Sequence, residues 1–218
     1  MDLIWLLLLC PVAYFVGNIN FSILYTRFVR KKDIRTEGSG NAGATNMLRT
    51  YGFKIAMVFL ALDILKGVGS ALAGLLIFGE IGMYAMGLSA AFGHCFPVMF
   101  KFRGGKGFAT MFGVFAVASP IAAAVVFVIG FTIMVMFEYG AVVSFLVMVS
   151  MVPWLMAHTD SLTASILLVG FFVLFSFMHR QNIVSLLAGR ERRARTLRKL
   201  HAKRLRKRQD VWAAEIIG

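Results

Sequence analysis

Long apolar segments alternate with short polar ones along this chain, a pattern typical of helices that cross a membrane. A spanning helix needs about 20 predominantly apolar residues, and several segments approach or exceed that length. We predict membrane spans at 3–25, 55–78, 83–100, 141–157 and 162–178, with another apolar stretch at 108–137. The pattern therefore predicts an all-α polytopic membrane protein.

The stretch 108–137 is too long for one upright crossing and contains Ser119-Pro120, where a helix is expected to bend or break. One kinked helix would give six crossings in all. A hairpin with Pro120 at its tip would give seven, with the pair around Pro120 short or tilted.

The positions of lysine and arginine favour seven crossings. With seven, the basic loops and the basic C-terminal segment fall on one side, whereas the opposite segments hold Asp2, Glu80 and Asp160 but no lysine or arginine. We therefore predict seven transmembrane helices, an N-terminus outside and a cytoplasmic C-terminus. The predicted membrane domain covers 1–191, and a basic cytoplasmic tail covers 192–218.

Composition agrees with this assignment and limits what the charge means. A hydrophobic content of 59% and a mean hydropathy of +0.79 exclude a soluble domain. The net charge is +13, and much of it lies in the tail, which we expect to contact anionic lipid headgroups or to serve as a solvated topology anchor. We expect no nucleic acid, because the tail lacks interleaved stacking aromatics.

The first candidate for chemistry is the segment 39–49, which is rich in glycine, asparagine, serine and threonine and is flanked by Arg35 and Arg49. Small residues let backbone N–H groups approach a bound anion, and arginine suits phosphate. We interpret the segment as an oxyanion cradle. The alternative is a glycine-rich turn between two helices.

Two further polar segments lie on the same predicted side of the membrane. Gly104 to Gly107 form a flexible loop with the cations Arg103 and Lys106, although the loop is not a nucleotide-binding P-loop. His179 and Asn182 are three residues apart, so on a helix they would share a face.

Within the apolar segments, Asp63 and Lys66 are three residues apart on one helix. Because a charge in lipid is costly, we expect a structural ion pair, with direct anion binding by Lys66 as the alternative. His94 could orient a substrate or only form a hydrogen bond inside the bundle. Cys10 and Cys95 indicate neither a disulfide nor a metal site.

The chemistry suggested by these clusters is transfer of a group that is already activated. There is no metal constellation and no nucleophile elbow, so we expect no metal and no cofactor. An acyl phosphate fits, because its leaving phosphate needs stabilisation of negative charge and its acyl chain dissolves in the bilayer.

Several motifs together resemble the PlsY family of membrane glycerol-3-phosphate acyltransferases. The resemblance runs in order from residue 1 to about 191 and rests on Ser39-Gly40-Asn41-Ala42-Gly43-Ala44-Thr45-Asn46, Leu62 to Gly67, Gly93-His94, Gly104 to Thr110 and His179 to Ile183. It implies transfer of a fatty acyl group from acyl phosphate to the 1-hydroxyl of sn-glycerol 3-phosphate. It also implies seven helices in a bacterial inner (plasma) membrane and a site facing the cytoplasm.

The predicted site residues fall into three groups. The catalytic candidates are Ser39, Arg49, His179 and Asn182. The candidates for binding substrate or phosphate are Gly40, Asn41, Gly43, Thr45, Asn46, Lys66, His94, Gly104, Gly105, Lys106, Gly107 and Ser144, of which Ser144 is the serine retained from a family pattern at 139–144. Asp63 and Glu191 are expected to support the structure. The base is expected to be the substrate's own phosphate.

Two other classes of function remain possible from the sequence. A membrane transporter or binding protein for an organic phosphate would also use cations in a helix bundle, but it predicts broken helices or charges near the midplane and often internal repeats. A non-catalytic scaffold would recruit partners through the basic tail.

Overall fold

The structure, a computed structural model, describes residues 2–191, and within that range it is helical with no strand. The helices are α1 (Asp2–Asn18), α2 (Phe21–Phe28), α3 (Ala44–Tyr51), α4 (Phe53–Cys95), α5 (Phe108–Ala118), α6 (Pro120–Phe137), α7 (Gly140–Met156) and α8 (Leu162–Leu187). Short 3-10 turns occur at Ile34–Thr36 and Val98–Phe100. The predicted basic tail, 192–218, lies outside the described residues.

Helix α4 folds back on itself at Gly79. Gly79 has φ 66° and ψ −153°, a conformation that is open essentially only to glycine. Lys66 Nζ and His94 Nδ1 are 2.7 Å apart, whereas a straight helix would separate residues 28 positions apart by roughly 42 Å. Residues 53–78 and 80–95 therefore form two antiparallel arms, which correspond to the predicted segments 55–78 and 83–100.

The predicted single span at 3–25 is divided into two helices. Asn20 interrupts the helix between α1 and α2, and its side chain caps α2 by accepting a hydrogen bond from Ile23 N at 3.0 Å. Lys66 Nζ donates to the carbonyls of Gly17 and Ile19 at the end of α1, at 3.2 and 3.1 Å. The break is therefore stabilised in part by Lys66, a residue of another segment. The apolar pattern of 3–25 cannot show such a distant partner.

The stretch 108–137 breaks before Pro120, as the sequence predicts. Ser119 separates α5 from α6, and Pro120 is the first residue of α6, where its missing N–H costs no helical hydrogen bond. Helix α5 has only 11 residues, which is short for an upright crossing.

By length and composition alone, three helical segments among residues 2–191 are long and apolar enough to cross a membrane, and a fourth if the bent pair at the N-terminus counts as one span. The three are Phe53–Phe100, Pro120–Phe137 and Leu162–Leu187. Helices α5 and α7 are shorter and apolar. Residues 2–191 are therefore all-helical, and their apolar helices fit a membrane protein.

Helix α5 packs directly onto the backbone of α4. A Cβ added at Gly67 would lie 2.0 Å from the Thr110 carbonyl oxygen, and one added at Gly113 would lie 2.2 Å from the Ile64 carbonyl oxygen. Small residues at a helix interface permit this close approach. The contact fixes the start of α5, and with it the loop that carries Lys106.

Two apolar clusters hold the parts of the molecule that matter for the site. The larger joins α4, α5, α7 and α8 around side chains such as Phe115, Met148 and Phe171. The smaller lies under the loop 29–43 and includes Ile34, Met47 and residues of α2 and α4. This smaller cluster anchors the loop that carries Ser39.

Candidate active site

One cavity of about 1170 Å³ brings together residues from all three polar segments. Thirteen of the eighteen predicted site residues line it: Ser39, Asn41, Gly43, Thr45, Arg49, Asp63, His94, Lys106, Gly107, Ser144, His179, Asn182 and Glu191. The loop before α3, the loop before α5, the start of α7 and the end of α8 therefore meet in space. The other five, Gly40, Asn46, Lys66, Gly104 and Gly105, are not among the lining residues.

Asn46 lies behind the first loop and organises it. Its side chain is fully buried, its Oδ1 accepts from Ser39 N at 2.8 Å, and its Nδ2 donates to three carbonyls of the same loop. We expected Asn46 to bind phosphate, and its position does not support that role, because both ends of the amide are used inside the protein. Gly40 has φ 76°, so it serves the turn after Ser39.

Arg35 joins the first and second polar loops and does not line the cavity. Its guanidinium donates to the carbonyls of Phe100 and Arg103 at 2.9 and 3.0 Å and pairs with Asp33 at 2.8 Å. The bonds from Arg35 hold the pKa of Asp33 well below its usual range. The predicted pair of cradle arginines is thus reduced to Arg49, with Arg35 acting as a link between loops.

The loop that carries Lys106 is seated on the end of the second arm of α4. The Gly104 and Gly105 N–H groups donate to the carbonyls of Cys95 and His94, each at 3.1 Å. A Cβ on Gly105 would lie 2.0 Å from His94 Nε2. We expected both glycines to bind substrate, but their contacts show that they support the loop.

A chain of hydrogen bonds connects Lys106 to the end of α8. Lys106 Nζ donates to Asn182 Oδ1, and Asn182 Nδ2 donates to Glu191 Oε1 at 2.8 Å. Glu191 thus fixes which way the amide of Asn182 points. Removal from water lowers the pKa of Lys106, and the nearby Arg49 lowers it further, whereas Glu191 opposes the shift.

His179 presents one defined ring nitrogen to the cavity. Its Nδ1 lies 3.1 Å from the Phe175 carbonyl oxygen, and its ring stacks on Phe175 at a centroid distance of 4.1 Å. Because a carbonyl can only accept, Nδ1 carries the proton and Nε2 is left as an acceptor when the ring is neutral. Helix α8 continues beyond the predicted span 162–178 and through Asn182, and the side chains of His179 and Asn182 both line the cavity.

A buried cluster of Asp63, Lys66 and His94 underlies this region. Lys66 Nζ lies 2.9 Å from Asp63 Oδ1 and 2.7 Å from His94 Nδ1, in addition to its bonds to the end of α1. Lys66 therefore has the structural role that we favoured from the sequence, and its position does not support the alternative of anion binding. For His94 the structure shows the hydrogen bond within the bundle, although its ring also borders the cavity.

Some cavity residues were not found from the sequence. Glu138 belongs to none of the three polar segments, yet it lines the cavity just before α7, in a left-handed conformation with φ 61°. Lys54 and Arg190 line the cavity as well. No local motif marks any of these three positions. Arg103, which was expected to help bind the anion, is exposed and is not among the lining residues.

The cavity has a polar end and an apolar side. Arg49 and Lys106 contribute cations at one end, whereas the wall along α6 consists of apolar side chains and Gly130. Among the described residues no group of histidine, cysteine and acidic side chains could hold a metal ion. Fold and cavity together define a helical membrane protein equipped for an amphiphilic anion.

Comparison with known proteins identifies the family. Residues 7–189 match the family model for glycerol-3-phosphate acyltransferase. A glycerol-3-phosphate acyltransferase of Thermoanaerobacter pseudethanolicus is 40% identical over 83% of this chain and 91% of its own length. One of Finegoldia magna is 36% identical over 88% of this chain and 97% of its own length.

A solved structure leads to the same family. The crystal structure of PlsY, an integral membrane glycerol 3-phosphate acyltransferase, in its glycerol 3-phosphate form superposes with a TM-score of 0.82. It is 34% identical to this chain, and the match covers 89% of this chain and 98% of that structure. The chain therefore belongs to the PlsY family of membrane glycerol-3-phosphate acyltransferases.

Proposed function

We propose that this protein transfers a fatty acyl group from acyl phosphate to the 1-hydroxyl of sn-glycerol 3-phosphate, giving lysophosphatidate and inorganic phosphate. This would be the first acylation of phospholipid synthesis. One observation carries the proposal beyond family membership: a single cavity joins the cations Arg49 and Lys106 to a long apolar wall. A product with a phosphate head and an acyl tail requires both surfaces.

The polar end would hold the phosphate groups of both substrates. Arg49 and Lys106 supply positive charge, and Ser39, Asn41 and Thr45 supply neutral hydrogen-bonding groups beside them. The acyl chain would lie along α6 on the apolar side. This division brings the acyl carbonyl to the boundary between the two surfaces, where the glycerol hydroxyl can reach it.

The reaction would proceed by direct attack of the glycerol hydroxyl on the acyl carbonyl carbon. A bond forms between that oxygen and the carbon, the bond from the carbon to the phosphate oxygen breaks, and phosphate leaves. His179 Nε2 would orient the hydroxyl, Asn182 would hold the Lys106 ammonium in place, and the hydroxyl proton would pass to a phosphate oxygen of the substrate. The cations stabilise the charge that develops on the departing phosphate.

Within the membrane we propose seven crossings, with the N-terminus outside and the active site facing the cytoplasm. The two arms of α4 count as two crossings in this arrangement, and α5 and α6 form the pair around Pro120. Arg27, Lys101 and Arg103 would then lie on the cytoplasmic side. Glu80, whose Oε2 accepts from Thr159 at 2.9 Å, would lie on the outer side with Asp160.

The test is an assay of purified protein with acyl phosphate and glycerol 3-phosphate. We expect phosphate release coupled to formation of lysophosphatidate, and we expect Ser39→Ala and Arg49→Ala each to reduce it at least a hundredfold, because each removes a group at the charged end of the cavity. Thr36→Ala, an exposed change on the same loop, is the control. Full activity in both cavity variants would refute these assignments, and accumulation of labelled glycerol 3-phosphate inside protein-loaded vesicles without acyl transfer would support a transporter.

A further inference from the structure

The apolar side of the cavity is a continuous aromatic wall. Phe108 and Phe112 of α5 and Phe127 and Phe131 of α6 all line it. Their ring centroids follow one another at 6.3 Å, 5.7 Å and 6.1 Å in that order. A flexible alkyl chain laid along these rings would exchange water or lipid contact for a surface of fixed shape.

This wall has a measurable depth. Along α6 the lining extends from Val135, near the charged end, to Val126. The nine steps between these two residues correspond to roughly 14 Å at the rise of an α-helix. The start of α7 lies at the charged end of the cavity, because a Cβ added at Gly140 would lie 3.1 Å from the Thr45 side chain.

Beyond Val126 the cavity is closed by the packed core. Ala123, one turn further along α6, is 2% exposed and belongs to the main apolar cluster with Phe115. Val147 of α7 is also 2% exposed and lines the cavity. Val147 belongs to the same apolar cluster as Ala123, and Val126 packs against that cluster; Val147 also lies near Gly130, where an added Cβ would be 3.8 Å from Val147 Cγ2. An alkyl chain that follows α6 from the charged end therefore meets packed side chains at Val126.

We propose that Val126, backed by Val147, is the floor that limits the length of the acyl chain that the enzyme accepts. This inference rests on the proposed function and adds a specificity determinant to it. Each methylene that finds apolar surface improves binding by roughly fourfold, and a methylene that meets a closed floor gains nothing or forces a shift. Chain-length preference is then set by side-chain volume at one position.

The test compares acyl phosphates of graded chain length in competition for the same enzyme. In Val126→Phe, we expect kcat/KM for the longest chain that the native enzyme uses well to fall about tenfold relative to a chain several carbons shorter, which should keep its rate. The matched control is Val128→Phe, because Val128 lies on the same helix, is 63% exposed and is not among the lining residues. The control should keep the native profile.

The opposite substitution makes the proposal independent of whether the larger side chain is tolerated. Val126→Ala should move the preference toward longer chains. An unchanged profile in Val126→Ala, or the same profile in Val126→Phe and Val128→Phe, would overturn the proposal and would mean that the chain leaves the cavity sideways into the bilayer. A native enzyme that transfers no acyl chain of any length would instead refute the proposed function.

Discussion

Asn41 and Asn46 both belong to the loop of small residues before and into α3, but only Asn41 lines the cavity. Asn46 is buried and makes its hydrogen bonds to the loop backbone. The sequence could identify the segment as polar and functional, since apolar packing cannot explain its composition. It could not separate these two roles, because the direction of each amide depends on the folded loop.

Asn46→Ala should destabilise the protein rather than weaken substrate binding alone. The change leaves Ser39 N and up to three loop carbonyls without their partner, and each buried unsatisfied group costs about 1–3 kcal/mol. Thermal unfolding in detergent should show a clearly lower Tm. Asn41→Ala is the matched control and should raise KM for a phosphate substrate while leaving Tm nearly unchanged. An equal loss of Tm in both variants would contradict the assignment.

Lys106 should make activity sensitive to alkaline pH. Its pKa is lowered by removal from water, and the protonated ammonium is the form that attracts phosphate. As pH rises through this lowered pKa, the charge is lost and KM for glycerol 3-phosphate should increase before an ordinary lysine would titrate. The measurement is kcat/KM against pH on the alkaline side.

Lys106→Arg supplies the control for that measurement. Arginine stays charged throughout the range, so the alkaline decrease should disappear even if the overall rate is lower, because arginine does not reproduce the geometry of lysine. An identical alkaline limb in the native enzyme and in Lys106→Arg would assign the titration to another group.

At the scale of elements, apolar periodicity located every long helix but not the break between α1 and α2. The turn at Gly79 and the break before Pro120 carry local sequence signals, a glycine and a proline. The break at Asn20 is stabilised in part by Lys66, which lies 46 residues later. Sequence patterns report such long-range partners poorly because the partners are adjacent only after folding.

The cluster of Asp63, Lys66 and His94 should hold the two arms of α4 and the end of α1 together. Breaking a buried ion pair leaves an uncompensated charge, so Lys66→Met should cost about 3–5 kcal/mol of stability. The measurement is thermal unfolding, with Lys54→Met as an exposed control on the same helix. Combining Lys66→Met with Asp63→Asn should recover part of the loss, and a purely additive effect of the two changes would refute the coupling.

At the scale of the whole molecule, the distribution of charge predicts its orientation in the bilayer. In a protein with Cys10→Ala and Cys95→Ala, a thiol introduced by His158→Cys should react with a membrane-impermeant maleimide from outside intact cells. A thiol introduced by Lys101→Cys should react only after permeabilisation, because the basic loops lie inside. Labelling of both positions from the same side would refute the proposed arrangement.

The meeting of three polar segments in one cavity was foreseeable only in outline. The charge pattern assigns each segment to one side of the membrane. Segments on the same side need not touch one another. Their convergence depends on the fold-back of α4 and on the backbone-to-backbone packing of Gly67 and Gly113 with α5. Residues such as Glu138 enter the site through that convergence alone.

Helix α6 forms one wall of the cavity and has little packing support of its own, since Ala123 and Gly130 are its buried residues; in the proposed arrangement its other face meets lipid. A helix bounded by acyl chains on one side and a substrate space on the other tilts when the hydrocarbon thickness around it changes. The width of the cavity therefore depends on the surrounding lipid as well as on the protein. In this arrangement, an enzyme that makes phospholipid precursors has one wall of its cavity in contact with phospholipid, the product of its own pathway.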